Sequence, residues 1–284
     1  MIPGFPQPKF FLNKQPAPLT EDEQGRPDPT TADGNKERAD EHLAKGRVHN
    51  AITCYKKAAR LDNSAEHRTD LGDAYAYAEL PVNAVKQYRR ALKSNPKCPD
   101  AHFSIAEMYT RYGRWHAAAI EYGKAVELDS ENSFYRYKYA CALTQMSCTH
   151  EAIAQMEEVV LLRPRDGFYR FVLAGLYAEV QRHDDAVGEM EYAVRLCPED
   201  DYYHARLGML YARAGKLDHA ARMYDEASRL NPERLAYRCL VGDMLDWLGD
   251  EELAKSAYAE AAEIDAYDTE FVHRARRYML GGTW

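Results

Sequence analysis

The sequence predicts an all-α protein built from repeated pairs of helices, and three observations support this fold class. The triplet Phe-Tyr-Arg begins at Phe134 and begins again at Phe168, which is 34 residues further along the chain. When the chain is aligned at that interval, small side chains fall in the same columns. Glycine and proline recur at fixed places between those columns. Self-similarity of this period is typical of a repeat protein.

Seven windows fit the interval, and each is predicted to form one helix pair. They are residues 65–98, 99–132, 133–166, 167–200, 201–234 and 235–268, with a shorter first copy at 32–64. Position 20 is alanine in every window: Ala51, Ala84, Ala118, Ala152, Ala186, Ala220 and Ala254. Positions 8 and 27 are also small in nearly every window. Helices approach closely only where small side chains meet, so these columns indicate the contact lines between paired helices.

Large side chains and helix-ending residues complete the pattern. Position 24 is always tyrosine or methionine: Tyr55, Tyr88, Tyr122, Met156, Met190, Tyr224 and Tyr258. Positions 7, 11 and 24 fall at helical spacing from the small columns, which indicates packed helix faces. Glycines at position 15 predict the end of the first helix: Gly46, Gly113, Gly215 and Gly249. Prolines at position 32 predict the end of the second helix: Pro96, Pro164, Pro198 and Pro232.

In its period, its small columns, its aromatic position 24 and its proline at position 32, the pattern resembles the tetratricopeptide repeat. The resemblance covers residues 32–268, or seven repeats. It implies a right-handed superhelical solenoid of antiparallel helix pairs, with about fifteen helices and no strand. A C-terminal capping helix is expected within residues 269–284, at about 269–280. Arg38 and His42 make the first repeat unusually polar, so that repeat is expected to be the N-terminal cap.

In this family the first helix of each repeat lines the concave side, and positions 2, 5, 9, 12 and 13 usually face the ligand. Carried over by position, this implies an exposed aromatic patch that binds a peptide or helix of a partner protein. Its members are Phe103, Phe134, Tyr137, Phe168, Phe171 and Tyr202. At position 13, Arg111 and Arg213 are expected to pair with acidic groups of that partner. Position 9 holds no asparagine, so a clamp for a C-terminal carboxylate is not expected.

The Phe-Tyr-Arg triplet can be interpreted within this scheme. Tyrosine at position 3 is expected to pack between adjacent repeats. The arginine or histidine at position 4 is expected to cover apolar surface with its stem while its head reaches water. Phenylalanine at position 2 is then left for the ligand. The alternative is that position-2 aromatics only cover the neighbouring helix, as exposed apolar side chains often do.

Residues 1–31 differ in composition and are expected to form an extended or disordered arm. Seven of the 13 prolines lie there. Apolar residues that a linker does not need make the arm a candidate for docking: Phe5, Phe10, Phe11 and Leu12. The arm is expected to bind the chain's own groove or a partner surface. The alternative is a passive, flexible tail.

The overall composition indicates which classes of partner and which cellular location are expected. The net charge of −8 argues against nucleic acid, because phosphate binding needs a basic surface. No apolar run is long enough to insert into a membrane, and the N-terminus lacks the apolar core of a signal peptide. The protein is therefore expected to be cytoplasmic. Its six cysteines include no C-x-x-C pair, which favours reduced thiols rather than a zinc site.

No catalytic or cofactor-binding motif occurs in the sequence, so neither enzymatic activity nor a cofactor or metal is expected. The function predicted is that of a non-catalytic adaptor or scaffold for protein–protein interaction. The alternative is a fixed structural or assembly subunit of a larger complex, tethered by the N-terminal arm. Both uses need the same repeats, so the sequence does not choose between them.

Overall fold

The computed structural model describes residues 28–282, which form fifteen α-helices and contain no strand. The all-α prediction is confirmed, and the N-terminal residues Phe5, Phe10, Phe11 and Leu12 lie outside the described residues. The helices are α1 (Ala32–Ala44), α2 (Val48–Leu61), α3 (Ala65–Tyr77), α4 (Pro81–Ser94), α5 (Pro99–Arg111), α6 (Trp115–Leu128), α7 (Ser133–Gln145), α8 (Thr149–Leu162), α9 (Gly167–Glu179), α10 (His183–Leu196), α11 (Asp201–Arg213), α12 (Leu217–Leu230), α13 (Ala236–Leu248), α14 (Glu251–Glu260) and α15 (Ala266–Met279).

The chain divides into two compact units between Tyr112 and Gly113. In the first unit, α1 pairs with α2, α3 pairs with α4, and α5 packs against α3 and α4. In the second unit the pairs are α7 with α8, α9 with α10, α11 with α12, and α13 with α14. The odd-numbered helices α1 to α13 are the first helices of the repeats, as the column alignment predicts.

Close approach within a pair depends on the small residue at position 8 and the large one at position 24. Tyr88 in α4 is fully buried, and its ring lies directly against Gly72 in α3. A methyl group at Gly72 would lie 2.3 Å from the Cε1 atom of Tyr88, so glycine leaves the space that the ring fills. Tyr258 is related to Gly242 in the same way, at 2.6 Å. The repeat therefore packs its largest side chain onto its smallest.

Position 9 has a structural task that the sequence does not reveal. Asp73 accepts a hydrogen bond from the hydroxyl of Tyr88 at 2.8 Å, and Asp243 accepts one from Tyr258 at 2.8 Å. Asp40 and Tyr55 form the same pair in the first repeat. Each carboxylate satisfies a phenol that burial has removed from water, and burial raises the pKa of Tyr88 and of Tyr258 well above the usual value. In these repeats position 9 holds the helix pair together.

Position 15 ends the first helix in all seven repeats through a left-handed residue. The φ angles there range from 57° to 88°. Four of the seven residues are glycines, as predicted, and the others are Glu79, Ser147 and Gln181. A side chain in this conformation costs about 1 kcal/mol, which the packing of the flanking helices offsets in those three repeats.

The arginine or histidine at position 4 joins the two helices of its repeat to the preceding loop. The guanidinium of Arg170 donates through Nε to the carbonyl of Pro164 at 3.0 Å and through Nη1 to Glu189 at 2.7 Å. The heads are therefore hydrogen-bonded while remaining partly exposed at Arg136 and Arg170, whereas His204 is buried. Equivalent contacts to the preceding loop are made by Arg136 to Ser130 at 2.8 Å, His102 to Pro96 at 3.3 Å and His204 to Pro198 at 3.0 Å.

Replacing Arg170 by methionine is expected to lower the free energy of unfolding by about 1–2 kcal/mol, because the apolar stem remains but both hydrogen bonds are lost. Denaturant unfolding followed by circular dichroism measures this change. Arg229→Met is the matched control, since Arg229 pairs only with exposed carboxylates on its own helix and should contribute less than about 0.5 kcal/mol. Equal losses of unfolding free energy in Arg170→Met and Arg229→Met would contradict a stabilising role for the Arg170 hydrogen bonds.

Candidate functional site

The first helices of the second unit share a surface that carries a row of aromatic rings. We call the surface of α7, α9, α11 and α13 the first-helix face. Along it the ring centroids of Phe134 and Tyr137 are 6.1 Å apart, and those of Tyr137 and Phe168 are 5.5 Å apart. Further along, Phe171 and Tyr202 are 5.8 Å apart, with their ring planes inclined at 62°. These separations are those of interacting aromatic pairs, so the rings hold one another in place.

The exposure predicted for the six aromatics is wrong for two of them. Phe103 is only 4% exposed and Tyr137 only 6% exposed, so both belong to the core. Phe103 also lies in the first compact unit, apart from the other five residues along the chain. The remaining four, Phe134, Phe168, Phe171 and Tyr202, are half-buried. Each therefore packs one part of its ring against the core and leaves another part accessible.

Two cations that the column analysis missed lie beside these rings. Arg206 lies over Phe171 at 5.9 Å and over Tyr202 at 5.7 Å, and Lys138 lies over Phe134 at 5.8 Å. Burial lowers the pKa of Arg206 to about 10, which still leaves it charged at neutral pH. Both residues occupy position 6, which the family's ligand-facing positions do not include, so their neighbourhood was visible only in three dimensions.

The two arginines predicted to pair with a partner's acidic groups have different surroundings. Arg111 is exposed and donates to the carbonyl of Ala76 at 3.2 Å. Arg213 is half-buried and donates to the carbonyls of Tyr278 at 2.7 Å and Gly282 at 2.6 Å. Its guanidinium also lies 4.7 Å from the ring centroid of Tyr278. The expectation for Arg213 is therefore corrected, because it fastens the C-terminal end of the chain.

The C-terminal helix lies on the first-helix face. α15 packs against α11 and α13, which are the first helices of the sixth and seventh repeats. Val272, Ala275, Tyr278 and Met279 are buried in this contact region. The sequence predicted a helix here but not the surface on which it lies.

Aromatic and ionic contacts hold α15 in place. Phe271 lies 6.4 Å from Tyr202 and 5.9 Å from Tyr237 between ring centroids. Arg276 makes two hydrogen bonds to the carboxylate of Asp243, at 2.8 Å from Nε and 2.7 Å from Nη2. These bonds raise the pKa of Arg276 above its already high usual value, so the arginine is charged at neutral pH.

At the other end of α15, the carboxylate of Asp268 accepts the backbone N–H of Ala236 at 3.1 Å and Nε of Arg234 at 3.3 Å. The N-cap residue of α13, Leu235, provides no side-chain hydrogen bond to that helix. The aspartate of α15 therefore satisfies one of the free amides at the start of α13. Asp268 and Arg276 therefore fasten the two ends of α15 to α13.

Residues 28–282 lack the features of two other kinds of site. No group of three histidine, cysteine or acidic side chains in this part of the chain is arranged to hold a metal ion. In the same residues, no helix combines the length and the apolar character needed to cross a bilayer.

Family models of the tetratricopeptide repeat match residues 37–64, 69–133 and 202–234. The human protein named Tetratricopeptide repeat protein 6 is 27% identical over 92 residues. The match covers 32% of this chain and 18% of that protein, so the chain spans less than a fifth of its relative.

Solved structures show the same fold. YrrB, described as a tetratricopeptide repeat protein with an unusual peptide-binding site, is 19% identical, with a TM-score of 0.57 over 68% of this chain and 99% of that one. PilF of Pseudomonas aeruginosa is 20% identical, with a TM-score of 0.59 over 71% of this chain and 92% of that one. A tetratricopeptide repeat protein of Parabacteroides merdae is 17% identical, with a TM-score of 0.56 over 88% of this chain and 99% of that one. The chain therefore contains tetratricopeptide repeats at residues 37–64, 69–133 and 202–234, and the helix pairs of the structure have the same form.

Proposed function

We propose that the protein is a non-catalytic scaffold that binds a peptide or helix of a partner protein on the first-helix face of its second unit. One observation carries this proposal. Four half-buried aromatic side chains, Phe134, Phe168, Phe171 and Tyr202, follow α7, α9 and α11 and lead to a place where the same face already holds a helix. A surface that receives one amphipathic helix has the chemistry to receive another chain beside it.

The energetics of such a surface favour binding over a purely structural role. Rings already held by their neighbours lose little side-chain entropy when a partner covers them. Aromatic anchors of this kind typically contribute about 2 kcal/mol each to binding. Lys138 and Arg206 place positive charge beside the rings, which would favour a partner segment with acidic residues among its apolar ones. The peptide-binding description of YrrB agrees with this proposal without establishing it.

Replacing Phe134 and Phe168 by alanine, singly, is expected to weaken partner capture tenfold or more, because each variant removes one anchor of the row. The measurement is quantitative mass spectrometry of proteins retained from extract by the immobilised chain. Tyr192→Ala is the matched control, since Tyr192 is a 49% exposed aromatic on the second helix of its repeat, α10.

Both phenylalanines also pack against core residues, so each variant must be shown to be folded by circular dichroism at the temperature of the experiment. The proposal is supported if a partner protein is retained equally by the wild-type and Tyr192→Ala chains and is not retained by either phenylalanine variant. Unchanged capture combined with a lowered melting temperature would instead assign the row to the core. If the native protein occurs only in a large particle on size exclusion, the fixed-subunit alternative is favoured.

A further inference from the structure

α15 is bound to the rest of the protein as a separate peptide ligand would be. It is the last described helix, and residues 261–265 connect it to α14. Its packing partners are α11 and α13, and one long side remains exposed to solvent. Detaching a terminal element disrupts only the contacts that this element makes itself, which is how low-energy local opening arises.

The residues that α15 buries follow the spacing of a helix lying in a groove. Starting from Asp268, the side chains directed at α11, α12 and α13 come three, four, seven, eight, ten and eleven residues later. They are Phe271, Val272, Ala275, Arg276, Tyr278 and Met279. This is one face of an amphipathic helix, with an aromatic anchor near the start, a small residue in the middle and large apolar residues near the end.

Charges at the two ends of the groove determine which way such a helix lies. At one end, Arg234 and the uncapped start of α13 receive the carboxylate of Asp268. At the other end, the buried carboxylate of Asp243 receives the guanidinium of Arg276. A helix in the reverse direction would bring like charges together at both ends, so the groove selects orientation as well as shape.

The start of α13 differs from those of its neighbours in a way that supports a ligand-supplied carboxylate. α9 and α11 are capped by their own aspartates, Asp166 and Asp200, whose side chains accept the first free amides. α13 begins after Leu235, which has no side-chain oxygen, and its cap comes from Asp268. The groove is therefore completed by an acidic residue of the helix that occupies it.

We propose that the face of α11 and α13 is a helix-binding site, that α15 is its intramolecular occupant, and that a helix of another protein with the same pattern displaces α15. The partner helix has an acidic residue at its start, an aromatic residue three positions later, an apolar residue at four, a small residue at seven, arginine at eight and large apolar residues at ten and eleven. This site on α11 and α13 shares Tyr202 with the aromatic row, but it is tested with different variants.

A tethered occupant competes at a high effective concentration, about millimolar for a short linker, so the intact chain binds a second helix weakly. Weakening α15 without changing the site increases the fraction of chains that are open and tightens binding in proportion. Arg276→Glu does this, because it places a carboxylate against Asp243 while leaving α11 and α13 unchanged. Arg274→Glu is the matched control, because Arg274 is exposed and pairs with Glu270 on its own helix.

The probe is a fluorescent synthetic peptide with the sequence of residues 265–282, added to the full-length chain and followed by anisotropy. The Arg276→Glu chain is expected to bind it at least tenfold more tightly than wild type, and the Arg274→Glu chain is expected to match wild type. A peptide carrying Phe271→Ala should bind at least tenfold more weakly to the Arg276→Glu chain. Absence of peptide binding to a folded Arg276→Glu chain overturns the proposal.

Hydrogen exchange on the wild-type chain provides a measurement that needs no variant. The amides of α15 are expected to exchange at least tenfold faster than those of α11 and α13, because α15 opens locally. Equal protection of the three helices overturns the proposal by making α15 a permanent part of the core. If the chain instead forms a dimer at rising concentration by exchanging α15, the displacing helix comes from a second copy of this chain and not from another protein. If the Phe134→Ala and Phe168→Ala chains bind the peptide normally but no longer capture the partner protein, the two sites are separate.

Discussion

Replacing Tyr224 by alanine is expected to lower the free energy of unfolding by about 3–5 kcal/mol, the usual cost of removing a fully buried aromatic ring. Tyr224 has no exposed surface and occupies position 24 of the sixth repeat. Its ring lies against Gly208, where a methyl group would be only 3.1 Å away. Neighbouring helices of a tightly packed pair cannot close such a gap, because the backbone contacts around it are already made.

Denaturant unfolding measures this loss, and two further variants identify its cause. Tyr224→Phe keeps the ring and removes only the hydroxyl, which contacts the sulfur of Met279 at 3.5 Å. A thioether is a weak acceptor, so this variant should lose less than about 1 kcal/mol. Tyr192→Ala removes a half-exposed ring and should also lose little. A large loss in Tyr224→Phe would show that the hydroxyl, rather than the ring volume, carries the stability.

Replacing Asp243 by alanine is expected to lower the free energy of unfolding by about 3 kcal/mol, because one carboxylate satisfies two separate partners. It accepts the hydroxyl of Tyr258 within the seventh repeat and the guanidinium of Arg276 from α15. Asp243 is only 5% exposed, so after its removal water cannot readily accept the hydrogen bonds of Tyr258 and Arg276. The variant should also free α15, since Arg276 would lose its ionic partner.

Asp225→Ala is the matched control for Asp243. Asp225 also pairs with two arginines, Arg229 and Arg238, but it is considerably exposed, with 38% of its side chain accessible. Exposed ion pairs contribute little, so its loss should be below about 1 kcal/mol. Chemical unfolding gives the stability of both variants, and limited proteolysis reports on α15. Similar losses in the two variants would mean that burial does not set the strength of the Asp243 contacts.

The periodic part of the structure follows from the sequence because each repeat packs on its immediate neighbours. Contacts within a helix pair join positions only about fifteen residues apart, as Asp73 and Tyr88 show. Such contacts recur at the same offsets, so the repeat columns predicted the helix pairs and the places where their helices end. Even Gln181, which is not glycine, adopts a φ of 62° at the column where the first helix must end.

Burial within the first-helix face could not be predicted from the columns alone. Phe134 and Tyr137 share a helix and an aromatic character, yet one is half-buried and the other is in the core. Their difference depends on neighbouring rings such as Phe168, whose distances are set by how adjacent repeats are packed. Likewise, the arginine of the triplet reaches a loop carbonyl and the second helix of its repeat, a role that its column shows only as a recurring positive charge.

The sequence by itself determined the class of fold, the number of repeats and the residues on which each helix pair closes. Only the tertiary structure decided that α15 lies on α11 and α13. Its contacts join residues 32 to 69 positions apart, as between Ala236 and Asp268 or Tyr202 and Phe271. They occur once and follow no column, because a terminal helix packs on whichever apolar and charged surface complements its own.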